Sequence, residues 1–139
     1  MDESAYSPGP RARALLRGID TAEADLQAAG GALDLAAVEK LLGISRHAIA
    51  RRVGGGALIA VPGPAGRRRY PVAQFTRGAT LPGLREALAA LPIRNPWVQL
   101  NWLVNPDPRL GNRTPAHLLE DGELDAVVTV ARLQGEQGA

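Results

Sequence analysis

The sequence predicts a mainly α-helical fold, in which an N-terminal helix-turn-helix with a small β-hairpin wing is followed by a C-terminal helical domain. The chain is 45% hydrophobic but only 4% aromatic, so that its core must rest on small aliphatic side chains, which suit short helices. Apolar residues recur at helical spacing in most of its segments. A stretch at residues 58–71 instead has β-like runs around a Pro/Gly loop, which predicts two short strands.

The first segment, residues 1–18, contains Pro8 and Pro10 and has no clear apolar period. We therefore expect a flexible arm without a role in the core. A short helix is predicted over residues 20–29, because Asp20 is a suitable cap and Gly30 follows the last helical position.

The first helix of the predicted helix-turn-helix lies between Asp34, a suitable N-cap, and Gly43, a suitable terminator. Apolar residues in between form one predicted stripe, which consists of Leu35, Val38, Leu41 and Leu42. Ile44 is then expected to fill the turn.

Ser45 is the predicted cap of the second helix. Ile49 and Val53 are four residues apart and should face inward, while His47 and Arg51 should project from the opposite side. The arrangement that places a helix in the major groove consists of a short helix, a glycine-containing turn and a second helix with a cationic outer face. A two-helix hairpin without a DNA-binding role is the alternative.

A wing is predicted after the glycines of residues 54–56, which we expect to act as a flexible joint. Residues 58–61 and 67–71 would form its strands, and its arginines would straddle a phosphate backbone. A solvated basic turn that serves only solubility is the alternative. The predicted DNA-binding residues are Ser45, Arg46, His47, Arg51, Arg52, Arg67, Arg68 and Arg69.

The charge distribution supports different partners for the two ends of the chain. The formal net charge is only +2, but the stretch between Glu39 and Glu86 contains no carboxylate and has Lys40 and eight arginines. Such a stretch favours a polyanionic partner, and we expect operator DNA. From His117 onward the balance is acidic, with Glu120, Asp121, Glu123, Asp125 and Glu136 against the single Arg132.

The composition changes at about residues 76–80, and we place a domain boundary there. Pro82 is predicted at the first position of a helix that ends at Pro92, with Leu84, Leu88 and Leu91 on its inner side. Asn95 should cap the next helix, whose inner stripe would contain Trp97, Leu100 and either Leu103 or Val104. The predicted domains are residues 1–18, 19–78 and 79–139.

Two more helices are predicted before the end of the chain. Thr114 and Pro115 are a cap and a first helical residue, and Leu118 and Leu119 should lie inside. After Gly122 a last helix is predicted over residues 123–133, with an apolar stripe of Leu124, Val127, Val128 and Ala131. Residues 134–139 are expected to be mobile.

Several function classes are disfavoured. The chain has no cysteine, and His47 and His117 are far apart, so we expect no thiol nucleophile, no metal site and no cofactor. A catalytic role for Asp107, Glu120 or Asp121 with His117 lacks supporting spacing, and we expect no enzyme. No apolar run approaches the roughly 20 residues of a membrane span, and no signal-peptide pattern is visible, so we expect a cytoplasmic protein.

The stretch of residues 102–115 resembles the Xre/MbcA/ParS toxin-binding domain. Its Trp-Leu, Asn-Pro, Leu-Gly and Thr-Pro pairs follow in the family's order, and the leucine pair Leu118-Leu119 comes after them. Asn105-Pro106 is reversed relative to the family pattern, and Gly111 comes one position early. The resemblance covers about residues 33–133.

This resemblance implies an antitoxin of a type II toxin-antitoxin system. The antitoxin would bind a cognate toxin, most often a RES-domain toxin that consumes NAD. It would also repress its operon as a homodimer or a larger toxin-antitoxin complex. The acidic last helix would fit a basic substrate-phosphate cleft. The alternatives are a stand-alone winged-helix transcriptional regulator and an excisionase-like DNA-binding protein. Trp102 and the leucines could instead form the domain's own core. The implied toxin-binding residues are Trp102, Asn105, Pro106, Leu110, Arg113, Thr114, Glu123, Asp125, Arg132 and Gln134.

Overall fold

The computed structural model of the chain describes residues 9–137, and these residues are mostly helical with a small antiparallel sheet. The mainly α class predicted from the sequence is thus confirmed. The helices are α1 (Pro10–Ala28), α2 (Leu35–Leu42), α3 (Arg46–Gly54), α4 (Leu84–Ala90), α5 (Pro96–Val104), α6 (Pro115–Glu120) and α7 (Leu124–Gln137). The strands are β1 (Ala32–Leu33), β2 (Val61–Pro62), β3 (Arg68–Pro71), β4 (Phe75–Thr76) and β5 (Ala79–Thr80).

A three-stranded antiparallel sheet has the order β1-β3-β2. Leu33 pairs with Tyr70 on one side of β3, and Val61 pairs with Arg69 on the other. Only Val61 of the predicted strand at residues 58–61 lies in β2. The segment before it instead hydrogen-bonds to a side chain, because the buried amide of Gln74 accepts from the Ile59 N–H and donates to the Ile59 carbonyl, each at 2.8 Å.

A second hairpin, β4–β5, lies at the predicted domain boundary, where we predicted no strand. Its two turn residues, Arg77 and Gly78, have φ values of 51° and 77°. Positive φ at both central residues matches the right-handed twist of the strands, as in a type I′ turn. An arginine is uncommon at the first of these positions, which is why the sequence did not reveal the turn.

The predicted ends of α2 and α3 are confirmed. Oδ1 of Asp34 accepts from the Ala37 N–H at 2.8 Å, and Oγ of Ser45 accepts from the Ala48 N–H at 3.2 Å. Gly43 ends α2 in the left-handed conformation. The predicted apolar stripe was wrong in one place, since Leu41 is exposed. Three residues on from the buried Val38, it lies about 60° short of a full helical turn and falls outside the core side.

The apolar core has two clusters. The smaller one contains Val38, Ile49, Leu58 and Tyr70, beneath α2, α3 and the sheet. The larger one gathers the inner sides of α4–α7, and it also includes Ala29, Ile59 and Val61 from the first half of the chain. The predicted boundary near residue 78 therefore does not coincide with a gap in the larger cluster, and the division into domains stays a prediction.

Helix α1 begins ten residues before the predicted start at Asp20. Residues 10–18, which we predicted as part of an arm, form its first half, and residues 1–8 lie outside the described residues. Its second half packs on α5, where the buried Asp25 carboxylate accepts from the side-chain amides of Asn101 and Asn105, each at 2.9 Å. Helix packing, which local propensity does not reveal, fixes this element.

Other predicted boundaries in the second half need correction. Pro82 is not the first helical residue, because α4 begins at Leu84 after Gly83, whose φ is 75°. A Cβ atom on Gly83 would lie 2.6 Å from Cδ1 of Leu124, so that the glycine lets α7 approach. Helix α4 ends at Ala90, before the predicted Pro92. Helix α7 continues to Gln137, so the predicted mobile tail is helical over its described part.

The predicted caps Asn95 and Thr114 are confirmed, with side-chain oxygens that accept from the N–H groups of Trp97 at 2.9 Å and His117 at 3.0 Å. Among residues 9–137, no helix combines the length and the apolar character that crossing a membrane requires.

Candidate nucleic-acid interface

Helix α3 presents a cationic side to solvent. Ile49 is fully buried and Val53 is half-buried, and together they fix the rotation of the helix about its axis. The predicted DNA-binding residues of this helix are all exposed, namely Arg46, His47, Arg51 and Arg52. Ser45 is exposed as well, with its hydroxyl group engaged as the N-cap.

The β2–β3 hairpin presents a second group of cations. Its loop contains a 3-10 turn at Pro64–Gly66 and leads into Arg67 and Arg68, both exposed. The loop is tightly closed at Gly63, because a Cβ atom there would lie 2.5 Å from the carbonyl oxygen of Arg67. A residue without a side chain is therefore required for the hairpin to hold these arginines in place.

The outer side of α3 and the hairpin border one concavity of about 580 Å³. Arg46, Arg67 and Arg68 line it, so the structure brings together predicted residues from two separate segments. Asp34 and Glu39 of the α2 segment lie on another wall. Tyr70 also lines it, and burial raises the pKa of its hydroxyl group while Arg68 acts in the opposite direction.

Arg69 does not join the other two arginines. Its guanidinium lies 6.0 Å from the ring centre of Trp97, and its Nη2 donates to the Pro62 carbonyl at 3.3 Å. Its buried Nε has no hydrogen-bond partner among the described residues. Side chains alternate along a strand, so Arg69 points away from the side that Arg68 occupies. Its predicted role in phosphate contact has no support in this position.

The C-terminal end of α3 lies beside the second half of the chain. Arg51 and Arg52 border a concavity of about 320 Å³ with Arg85 of α4. Next to it, Arg85 and Arg94 border a concavity of about 400 Å³ along the glycines of residues 54–56. Sequence reasoning missed Arg85 and Arg94 as site residues. The signal available for Arg85 was its place in the carboxylate-free stretch, and no signal marked Arg94.

The predicted toxin-binding residues do not form one surface. Trp102 and Leu110 are buried in the larger cluster, and the Trp102 Nε1 has no partner among the described residues. Asn105 is committed to Asp25, and Thr114 caps α6. The exposed members are Asn105, Pro106, Arg113, Glu123, Asp125 and Arg132.

Asp107 organises the turn between α5 and α6. Its carboxylate accepts from Nε of Arg109 at 3.1 Å, from Nη2 at 3.0 Å and from the Arg109 N–H at 2.8 Å. The Arg109 guanidinium holds the pKa of Asp107 below its usual value against the effect of burial. Gln134 of α7 reaches the same carboxylate at 3.5 Å.

The exposed Asp121 forms an ion pair with Arg113, and its carboxylate lies 3.4 Å from Nε2 of His117. All three side chains are largely solvent-exposed, so this is a surface network without the shelter that a general acid or base requires. No three His, Asp or Glu side chains in the described part of the chain are grouped so as to hold a metal ion.

No protein-family model matches the chain, and no curated protein matches it. Among solved structures, the chain is similar to the one titled "NMR structure of Rv2175c". The two share 29% sequence identity and superpose with a TM-score of 0.60, over 73% of this chain and 78% of that chain. The similarity thus extends over most of both chains.

Proposed function

We propose that the chain is a DNA-binding transcriptional regulator of the winged helix-turn-helix type. The observation that carries the proposal is the concavity shared by Arg46 of α3 with Arg67 and Arg68 of the β2–β3 hairpin. Helix α3 follows α2 after a short glycine turn, and a basic hairpin lies beside it. This order and this charge suit a recognition helix and its wing.

In this proposal the two groups of cations have different tasks. The first turns of α3, with Arg46 and His47, enter the major groove, where an arginine can donate two hydrogen bonds to one guanine. Arg67 and Arg68 contact backbone phosphates beside the groove and set the position of the helix without reading sequence. Arg51, one turn after His47, extends the reading side of α3.

The absence of ion pairs keeps these cations available. Within the described residues, the arginine ion pairs join Arg109 to Asp107 and Arg113 to Asp121, both in the second half of the chain. The arginines of α3 and the hairpin take part in none of them. The exposed side chains among them, which exclude Arg69, can therefore exchange water and counterions for phosphates without breaking an internal salt bridge.

The test uses the full chain and two labelled duplexes, its own promoter region and a random sequence of equal length. In the triple variant Arg51→Gln/Arg67→Gln/Arg68→Gln, the slope of log K against log salt should fall by up to about 2.7, at about 0.9 for each phosphate that the protein no longer neutralises. The Arg17→Gln variant, on the exposed part of α1, is the control for the loss of one positive charge outside the proposed interface. Equal affinities of the triple variant and the wild type, or tighter binding to duplex RNA than to DNA, would refute the proposal.

Toxin neutralisation is the second candidate, and one observation favours it. Glu120, Asp121, Glu123 and Asp125 are all exposed around the start of α7, so the acidic charge predicted for a basic toxin cleft is accessible. Against it, Trp102 and Leu110 of the resembling motif are buried in the protein's own core, and the side-chain amide of Asn105 donates to Asp25.

Growth of cells that co-express the chain with the product of the neighbouring gene would decide between an antitoxin and a stand-alone regulator. The variant Glu123→Lys/Asp125→Lys should weaken protection, because charges at the rim of an interface steer association. Arg17→Gln again provides the control. If the wild-type chain neither protects cells nor co-purifies with that product, toxin neutralisation is refuted and the DNA-binding role is the one that remains.

A further inference from the structure

A second cationic surface adjoins the predicted interface at the C-terminal end of α3. It consists of Arg51 and Arg52 of α3, Arg85 of α4 and Arg94, grouped around the glycine turn of residues 54–56. We refer to these residues as the glycine-turn patch. Three adjoining concavities share its members, and the third, of about 340 Å³, continues from Arg94 to Arg68 at the hairpin.

The glycine-turn patch differs from the first concavity in its charge. Asp34 and Glu39 line the space between α2, α3 and the hairpin. By contrast, no carboxylate of the described residues lines any of the three concavities of the patch. The nearest acidic residue in sequence, Glu86, lies about 100° round α4 from Arg85, while Ala89 shares the side of Arg85.

The glycines contribute space to the patch rather than hydrogen-bond donors. The N–H groups of Gly55 and Gly56 donate to the carbonyl oxygens of Arg51 and Val53, at 2.9 and 3.1 Å. A Cβ atom on Gly54 or Gly56 would meet nothing within 4 Å. A bulky group can therefore approach the backbone here, and the arginine side chains would supply its contacts.

We infer that the glycine-turn patch binds backbone phosphates of the same duplex that α3 reads, so that Arg85 and Arg94 bring the C-terminal half of the chain into the DNA interface. This inference rests on the proposed function. Phosphates suit the site because they are anionic, regularly spaced and recognised by arginines without a demand on sequence. Continuity with Arg51 and Arg52 on α3 makes the same duplex the occupant.

Two variant sets test the charge without threatening the fold. Arg85→Gln/Arg94→Gln removes two cations, and Arg85→Lys/Arg94→Lys retains them. At Gly54, which lies at the end of α3 with open space beside it, Gly54→Glu inserts a carboxylate into the patch. Gly54→Gln inserts a neutral side chain of the same size.

Binding to the promoter and random duplexes is measured by anisotropy between about 50 and 200 mM salt. The double glutamine variant should lower the slope of log K against log salt by about 1.8, and weaken binding to both duplexes alike. The double lysine variant should restore the slope, because lysine also binds phosphate as a point charge. Gly54→Glu should bind more weakly than Gly54→Gln.

The outcomes separate this inference from the proposed function. A wild-type slope for the double glutamine variant, together with equal affinities of the two Gly54 variants, would overturn the role of the patch. If Arg67→Gln/Arg68→Gln, which leaves the four arginines of the patch intact, still lost affinity in that case, the proposed function would stand without it. A wild-type chain that binds neither duplex would overturn both. Inorganic phosphate at equal ionic strength should not displace the duplex, because a single phosphate engages too few cations.

Discussion

Neighbouring arginines in this protein have opposite surroundings. Arg68 is exposed on the β2–β3 hairpin, while Arg69 is half-buried against Trp97. The difference follows from strand alternation, which a stretch of three arginines hides because its polarity pattern is uniform. Composition therefore predicted a basic hairpin correctly, but it could not show which cation would be turned inward.

Arg69→Gln should destabilise the protein without changing how it binds DNA. We expect the free energy of unfolding to fall by about 1–2 kcal/mol, since the variant lacks the cation–π interaction with Trp97 and the hydrogen bond to Pro62. Urea unfolding followed by tryptophan fluorescence measures this change. Arg68→Gln is the matched control, which should lower the salt slope of DNA binding by about 0.9 and leave stability nearly unchanged. If Arg69→Gln instead lowered the salt slope and left stability unchanged, Arg69 would belong to the DNA interface.

Asp107 links acid sensitivity to the α5–α6 turn. Hydrogen bonds from Arg109 hold the pKa of Asp107 below the ordinary value of 3.8, so the ionised carboxylate is more stable in the folded than in the unfolded state. Because the pKa of Asp107 is lower in the folded than in the unfolded state, this stabilisation is complete at pH values above the unfolded-state pKa. The stabilisation is lost as the pH falls from 3.8 through the folded-state pKa of Asp107.

Asp107→Asn should therefore lower the melting temperature most at neutral pH. The difference in Tm between wild type and variant should stay constant above about pH 5 and shrink as the pH falls through 3.8 and below. Differential scanning calorimetry across this range provides the measurement. The exposed Asp20→Asn on α1 is the control. A Tm difference that does not change with pH would assign the effect of Asp107 to the shape of the turn alone.

At the scale of elements, four N-terminal caps of helices were predictable, and the remaining helix ends were less so. Asp34, Ser45, Asn95 and Thr114 are caps in the structure as in the sequence, because a cap depends on one side chain and the nearest N–H groups. The start of α4 depends on Gly83, whose role arises from the approach of Leu124, some forty residues later. Local patterns contain no information about such a distant neighbour.

Gly63 is the residue on which the geometry of the β2–β3 hairpin depends most. Gly63→Ala should cost about 1–3 kcal/mol, because its Cβ would lie 2.5 Å from the Arg67 carbonyl oxygen and 2.9 Å from the Arg69 side chain. The displaced loop would also move Arg67, so we expect weaker DNA binding even where the variant is fully folded. Chemical denaturation and anisotropy measure the two effects separately.

Gly18→Ala is the matched control for this substitution, since it lies within α1 with nothing within 4 Å of the added Cβ. It should be neutral or stabilising by up to about 1 kcal/mol. A hairpin that accepted Gly63→Ala at no cost to stability or binding would show that the loop rearranges freely, and that the positions of Arg67 and Arg68 are not fixed by it.

At the scale of the whole molecule, sequence reasoning identified most of the core residues but not their partners. Leu84, Leu88, Leu100, Leu119 and Val127 were predicted to lie inside and do so. The contribution of Ala29, Ile59 and Val61 to the same cluster was not predicted, because it joins segments far apart in the chain. The hydrogen bonds between Asp25 and α5 were not predicted for the same reason, because they too join segments far apart in the chain.

Asp25 offers a test of whether the chain unfolds as one unit. Its buried carboxylate ties α1 to Asn101 and Asn105 of α5, and α1 leads directly into β1, which pairs with β3 beside the smaller cluster. Asp25→Ala should lower the free energy of unfolding by about 1–3 kcal/mol.

In this variant both halves of the molecule should lose stability together. Tryptophan fluorescence reports on the larger cluster, because Trp97 and Trp102 lie in or against it, and amide exchange at Ile49 reports on the smaller one. The two probes should give coincident transitions in the wild type and in Asp25→Ala, as expected for two-state unfolding. Asp20→Ala, exposed on the same helix, should shift neither. Separate transitions, with only the fluorescence affected by Asp25→Ala, would instead support the independent domains that the sequence predicts at residues 19–78 and 79–139.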